Sequence, residues 1–165
     1  MSTAYLGLGS NVDAEHHIRI AVRALIHAFG DAEISPIYRS TAVGFEGGDF
    51  INLVVRVQTA FKPMELRYFL RTLEDRYGRN RTAPKWSDRT LDIDILLFDD
   101  LVIKTDKLDL PRAEILRFAH VLKPLADIAP DLEHPVNGKS FSELWAQGEW
   151  EGVNLLRLDP AFIQS

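Results

Sequence analysis

Phe50-Ile51-Asn52-Leu53-Val54-Val55-Arg56-Val57-Gln58-Thr59 is the strongest strand signal in the chain, rich in β-branched residues and free of glycine and proline. A glycine-rich loop, Gly44-Phe45-Glu46-Gly47-Gly48, leads into it. Before that loop, residues 33–41 (EISPIYRST) read as another strand, with Pro36 marking an edge or a bulge. Further back, Ile18, Val22, Leu25 and Phe29 recur at helical spacing between Asp13, a candidate N-cap, and Gly30, a C-terminal stop. Residues 3–9 (TAYLGLG) alternate as a strand and end at the turn cluster Gly9-Ser10-Asn11. On the other side, Pro63 suits a first helical turn, Leu66, Phe69, Leu70, Leu73 and Tyr77 line one face, and Gly78 ends the helix. A polar segment (GRNRTAPKWSDR, 78–89) separates it from a strand at Thr90–Phe98.

The order strand–helix–strand–strand–helix–strand predicts an α+β fold. It is a ferredoxin-like βαββαβ core with an antiparallel sheet and both helices on one face. After residue 100 a short hairpin at 101–110 and short helices at 114–127 and 140–146 read as a C-terminal extension. No linker separates it, so residues 1–165 read as one domain.

Composition narrows the function classes. At 165 residues and 46% hydrophobic, the chain can bury a sizeable core and is not disordered. It has no cysteine, which excludes a disulfide scaffold and a thiolate zinc site. Runs such as Ile51–Val55 and Ile95–Phe98 are too short to span a bilayer. Residues 1–12 lack a signal peptide's basic start and apolar stretch, because Ser10 and Asn11 interrupt, so a cytoplasmic protein is expected. A net charge of −5 disfavours nucleic acid as a partner.

The chemistry concentrates at Arg89-Thr90-Leu91-Asp92-Ile93-Asp94-Ile95-Leu96. Strand alternation puts Asp92 and Asp94 on one face, about 7 Å apart. Two carboxylates so placed suit a hard divalent ion, Mg²⁺ above all; the same pattern fits a solvated edge strand. Arg79, Arg81, Lys85 and Arg89 set four cations beside them, which suits a metal-bridged phosphate; a solvated basic loop is the plainer alternative. Pro84 and the length of this segment suggest a lid, with Trp86 as an apolar plug. Phe45, Phe50 and Trp86 suit stacking on a flat heterocycle or covering the core edge. Asn52 either reads a ring edge or caps a turn. The histidines (His16, His17, His27, His120 and His134) have no metal-ligand spacing and read as surface groups. A phosphate-binding G-x-x-x-x-G-K-[ST] loop is missing, and Gly7-x-Gly9 lacks the rest of a dinucleotide fingerprint.

Several of these blocks together resemble the 6-hydroxymethyl-7,8-dihydropterin pyrophosphokinases of folate biosynthesis. They are Ala4–Asn11, Phe50-Ile51-Asn52, Gly78-Arg79-Asn80-Arg81, Trp86, Arg89–Leu96 and Pro124–Leu132. The resemblance implies a ferredoxin-like kinase that moves the β,γ-pyrophosphoryl group of ATP to a pterin hydroxymethyl oxygen and releases AMP. It implies that Asp92 and Asp94 hold two Mg²⁺ ions, with Asp94 nearest the attacking hydroxyl. Arg79 and Arg89 would stabilise phosphate charge, Arg81 would assist the lid, and Glu74 would contact ATP. The pterin would lie against Asn52 and the backbone of Ser40, Thr41 and Val43, stacked on Phe50 and covered by Trp86.

One segment departs from the family pattern Pro-His-x-x-Met-x-x-Arg-x-Phe. Here it reads Pro111-Arg112-x-x-Ile115-x-x-Phe118-x-His120. Arg112 replaces a histidine that touches ATP, Phe118 removes a cation that Arg117 restores only with a backbone shift, and His120 takes the place of a stacking aromatic. A non-catalytic pterin- or nucleotide-binding regulator is therefore the rival reading. A ferredoxin-like RNA-binding module is disfavoured by the aliphatic run Leu53–Val55, where stacking aromatics would be needed. The expected partners are the two small substrates, with no membrane or nucleic acid, and the chain is expected to act as a monomer.

Overall fold

A computed structural model of the chain describes residues 1–40, 49–77, 91–150 and 154–164. Its elements, in order, are β1 (Ser2–Ser10), α1 (Ala14–Phe29), β2 (Ala32–Ile34), β3 (Ile37–Ser40), β4 (Phe50–Thr59), α2 (Pro63–Arg76) and β5 (Asp92–Phe98). There follow β6 (Ile103–Lys104), β7 (Asp109–Leu110), a 3₁₀ turn (Ala113–Leu116), α3 (Ala119–Ile128), α4 (Phe141–Gln147), β8 (Leu155–Leu158) and α5 (Ala161–Gln164). The sheet runs β5-β1-β4-β3-β8, all neighbours antiparallel, with β2 also pairing β4. This is the ferredoxin-like order.

The strand expected at 33–41 is split in two. Pro36 has no N–H to give a ladder, and the chain is held across the break by Ser35. Its amide donates to the Val54 carbonyl at 2.9 Å, and its Oγ accepts the Val54 N–H at 2.8 Å. Asp13 occupies the N-cap position of α1 but does not cap it. Its backbone is left-handed (φ 46°) and its side chain makes no capping hydrogen bond. Gly30 does end the helix, at φ 76°.

Ile18, Val22 and Leu25 of α1 and Leu66, Leu70 and Leu73 of α2 pack with Leu6, Leu8, Leu53, Val55, Ile93 and Ile95 of the sheet. The segment beyond residue 100 is more than the decoration expected of it. Through Ile115, Leu122, Leu125 and Phe141 it packs with Val54, Leu96 and Leu97 in a second core. The sheet is thus covered on both faces. The unforeseen β8 extends the sheet beyond β3, and α5 brings Ile163 to the first core. A β-bulge lies where Leu6 pairs Ile95 but Tyr5 pairs Leu97. Because of it Leu96 and Leu97 both enter the second core, while Ile95 and Phe98 enter the first.

The surface reading fails for His134, which is buried. Its Nδ1 accepts the N–H groups of Val136 at 3.2 Å and Asn137 at 3.0 Å, so the ring proton sits on Nε2. Burial, with Lys104 adding, holds its pKa below the usual histidine value. A folded value below the unfolded one means that this stability is fully present above about pH 6.5 and drains away as pH falls through the folded value. Thermal melts of the wild type are therefore expected to fall more steeply between about pH 7 and about pH 5 than those of His134→Gln. Parallel slopes would refute this.

Among the described residues, no helix is long and apolar enough to cross a membrane.

Candidate active site

The register of the sheet gathers the candidate residues. Across it runs a row Tyr38–Asn52–Gly9–Asp92, and two residues along β1 a row Val54–Gly7–Asp94. Residues opposite one another in a sheet project to the same side. Asn52, Asp92 and Asp94 therefore share the face that carries the second core, while Leu53 and Ile93 point to the first. Phe50 and Ser40, paired at the end of β4 and β3, belong to the same face. The Asn52 amide donates to Ser40 Oγ at 2.8 Å, which fixes the orientation of its side chain.

Between Asn52 and Asp92 the sheet carries only Gly9. A Cβ placed there would lie 3.0 Å from Asn52 Oδ1. Gly7, between Val54 and Asp94, would bring a Cβ within 3.2 Å of Leu96. The Gly7-x-Gly9 pair is the bare floor of a slot, with the amide on one side and the carboxylates on the other. By sequence the pair is an incomplete dinucleotide fingerprint inside the Ala4–Asn11 block; its role here depends on pairing register.

Helix α3 packs over the same face of the sheet. Tyr38 anchors it: the buried phenol donates to Asp127 Oδ2, and Asp127 Oδ1 takes Lys123 Nζ at 2.9 Å. Burial and this hydrogen bond raise the Tyr38 pKa. His120 lies in the first turn of α3, its ring stacked on Phe118 at 5.3 Å. Burial lowers the His120 pKa, against Glu114, which raises it. The Arg117 guanidinium lies over the Phe118 ring, 5.4 Å from the centroid.

Strand β5 is the sheet's edge, and its outward backbone groups are covered rather than bare. Glu74, 1% exposed, accepts the Ile93 N–H at 2.9 Å, and the Arg112 N–H donates to the Leu96 carbonyl at 2.9 Å. Beside this edge a cavity of about 270 Å³ opens between α2 and the β6–β7 hairpin. Asp94, Glu74 and Arg112 all line it, with Arg67, Arg71 and Lys107 as further cations and Leu108 as an apolar wall. These three cations were not singled out by the sequence. Lys107 sits in a hairpin turn and Arg67 and Arg71 on an ordinary helix, and none carries a motif.

The Asp94 carboxyl is perturbed. Its side chain is 38% exposed. Desolvation pushes its pKa up to about 7; Arg112 opposes the rise, and Asp92, Glu114 and Glu74 add to it. Among the described residues no three His, Cys, Asp or Glu side chains form a metal-binding group. A carboxylate pair suits a cation that takes its other ligands from a bound phosphate and water, as Mg²⁺ does. Thr41, Val43, Phe45, Arg79, Arg81, Lys85, Trp86 and Arg89, also singled out above, lie outside the described residues.

The profile of the family described as 7,8-dihydro-6-hydroxymethylpterin-pyrophosphokinase (HPPK) matches residues 5–130. The 2-amino-4-hydroxy-6-hydroxymethyldihydropteridine pyrophosphokinase of Aquifex aeolicus is 39% identical over 145 residues, 87% of this chain and 90% of that protein. The Bacillus subtilis protein of the same name is 38% identical over 157 residues, 92% of this chain and 89% of its own length. Among solved structures, an HPPK-DHPS chain in complex with substrates has a TM-score of 0.71 at 14% identity, covering 88% of this chain and 43% of that one. Wild-type Plasmodium falciparum HPPK-DHPS with SDX-DHP has a TM-score of 0.68 at 16% identity, covering 89% and 43%. At such identities the likeness concerns the fold, and this chain spans less than half of those longer chains.

Proposed function

The chain belongs to the 7,8-dihydro-6-hydroxymethylpterin-pyrophosphokinase family, and on that basis we propose that it transfers the pyrophosphoryl group of ATP to 6-hydroxymethyl-7,8-dihydropterin. The hydroxymethyl oxygen forms a bond to the β-phosphorus, the α,β-bridging P–O bond breaks, and AMP leaves. The observation that carries this reading is the row Asn52–Gly9–Asp92, which sets a ring-reading amide opposite a carboxylate across an open floor. Asn52 and Asp92 stand two strand spacings apart, roughly 10 Å, a span filled by a two-ring heterocycle with a one-carbon arm. The cavity beside Asp94 then takes the nucleotide.

In this arrangement Asn52, with the backbone of Ser40, Thr41 and Val43, reads the polar edge of the pterin. Phe50, His120 and Trp86 supply its ring contacts. Asp94 lies nearest the attacking hydroxyl, accepts its hydrogen bond and orients the oxygen toward phosphorus. Glu74, Arg81 and Arg112 contact ATP, and Arg79 and Arg89 stabilise charge on the phosphates in transit. The roles of Arg79, Arg81, Arg89 and Trp86 rest on the sequence blocks alone. Asp92 and Asp94 fit two Mg²⁺ ions, which when bound supply charge neutralisation on the phosphates and a lowered pKa for the hydroxyl. Residues 1–165 act as one domain in this proposal.

A coupled assay with the pterin, ATP and Mg²⁺ is expected to release one AMP for each pterin consumed. Tight pterin binding without AMP above background would overturn the reading. The floor of the slot gives a sharper test. In Gly9→Ala the new methyl presses on Asn52 Oδ1 and fills the space beneath the ring. The pterin KM is expected to rise about 10- to 200-fold, the range that one surplus methylene commands in a fitted pocket, with ATP affinity unchanged. An unaltered pterin KM would move the substrate elsewhere.

A further inference from the structure

Of the acidic groups around Arg112, which include Asp109, Glu114 and Asp94 stand at unequal distances from its Nη2, and we infer that Glu114 is a positioning residue that holds the Arg112 guanidinium off Asp94 and so keeps that carboxylate open to a divalent cation. The inference rests on the nucleotide-site reading above.

Arg112 Nη2 donates to Glu114 Oε1 at 2.8 Å, whereas the same nitrogen stands 3.8 Å from Asp94 Oδ2. The first is a charge-assisted hydrogen bond; the second is a contact that stops short of one. The backbone around the pair is fixed. The Arg112 N–H is tied to the Leu96 carbonyl at 2.9 Å, and the Arg112 carbonyl accepts from Ile115, itself fully buried. The Glu114 carbonyl accepts from Arg117 at 3.1 Å and from Phe118 at 3.0 Å. Any adjustment therefore falls to the side chains. Without the Glu114 carboxylate, the guanidinium has only about 1 Å to travel to reach hydrogen-bond distance from Asp94. That ion pair would compete with a cation for the same oxygens.

A second feature points the same way. Arg112 Nε is shielded from solvent and has no hydrogen-bond partner among the described residues. A guanidinium so enclosed is held in place through Nη2 by Glu114 where it lines the nucleotide cavity.

The test uses Glu114→Ala, Glu114→Gln and Glu114→Asp, at a side chain 36% exposed, so folding should survive; circular dichroism checks this. Mn²⁺ is titrated into each protein in the presence of α,β-methylene-ATP, and free Mn²⁺ is read by electron paramagnetic resonance. The Ala and Gln variants are expected to bind Mn²⁺ on the order of 10- to 100-fold more weakly, as loss of an outer-shell partner does. They should raise the ATP KM with kcat at saturation retained, and Asp should restore most of both. In an Arg112→Ala background, adding Glu114→Ala should cause no further loss, because the competing cation is gone. Unchanged Mn²⁺ affinity in Glu114→Ala, or an equal loss in both backgrounds, would overturn the inference. Wild-type protein that releases no AMP would instead overturn the site reading on which it rests.

Discussion

Asp94→Asn is expected to lower AMP release by roughly a thousandfold or more, the equivalent of several kcal/mol of transition-state stabilisation, while the protein stays folded. The amide keeps the shape of the carboxylate but cannot hold a cation between itself and the triphosphate. The same substitution should leave thermal stability at about pH 8 equal to or above that of the wild type. Asp94 has a folded pKa of about 7 against a usual 3.8. A group raised in this way contributes its stability below the unfolded value and loses it as pH rises through the folded one. At alkaline pH the wild type therefore carries a carboxylate that folding disfavours, and asparagine removes it. Near-normal turnover in this variant would refute the metal assignment; a collapse in stability would refute the electrostatic account.

Phe141→Ala is expected to cost about 3–5 kcal/mol, a large share of the roughly 5–15 kcal/mol that holds a domain together. Phe141 is fully buried and joins α4 to the core formed by Val54, Leu96, Leu97, Ile115 and Leu122. The melting temperature should fall by roughly 6–20 °C for a chain of this size. The loss also has a functional signature. Helix α3 packs on the slot's face of the sheet and carries His120, the proposed pterin contact, and α4 braces α3, so pterin affinity should weaken before ATP affinity does. A melting temperature within about 2 °C of wild type would mean that the second layer contributes little.

That layer is also where sequence reasoning stopped short. The alternation around Asp92 and Asp94 was legible because a strand has a period of two and each position takes its face from its neighbours. The second core was not, although a signal existed. Ile51-Asn52-Leu53-Val54-Val55 is apolar on both faces except at Asn52, the mark of a strand covered on both sides. In the first layer, Glu74 was named as an ATP contact, but its burial was not read. It sits one turn beyond Leu70, on the buried stripe of α2, where a glutamate needs a partner; it finds the Ile93 amide. Strand β8 left almost no trace, because Leu155-Leu156-Arg157-Leu158 is short and becomes a strand only by pairing with β3. The floor made by Gly7 and Gly9 depends on which residues of β4 and β5 fall beside them, and no local pattern encodes that. The departures at Arg112, Phe118 and His120 were visible as letters. That Arg112 is shared unequally between Glu114 and Asp94 required coordinates.

The irregularity at Leu96 and Leu97 has a bearing on which length changes β5 can survive. Upstream of it, every side chain is locked in phase with β1, so a single-codon insertion or deletion between Asp92 and Ile95 would swap acids for aliphatics and invert the reacting surface. Downstream, the surplus residue already resets that phase. One codon lost or gained just beyond Leu97 can be taken up by removing or widening the kink. Tolerance to indels should therefore be sharply lopsided along seven residues of one strand, and a deletion scan would trace where its reactive half ends.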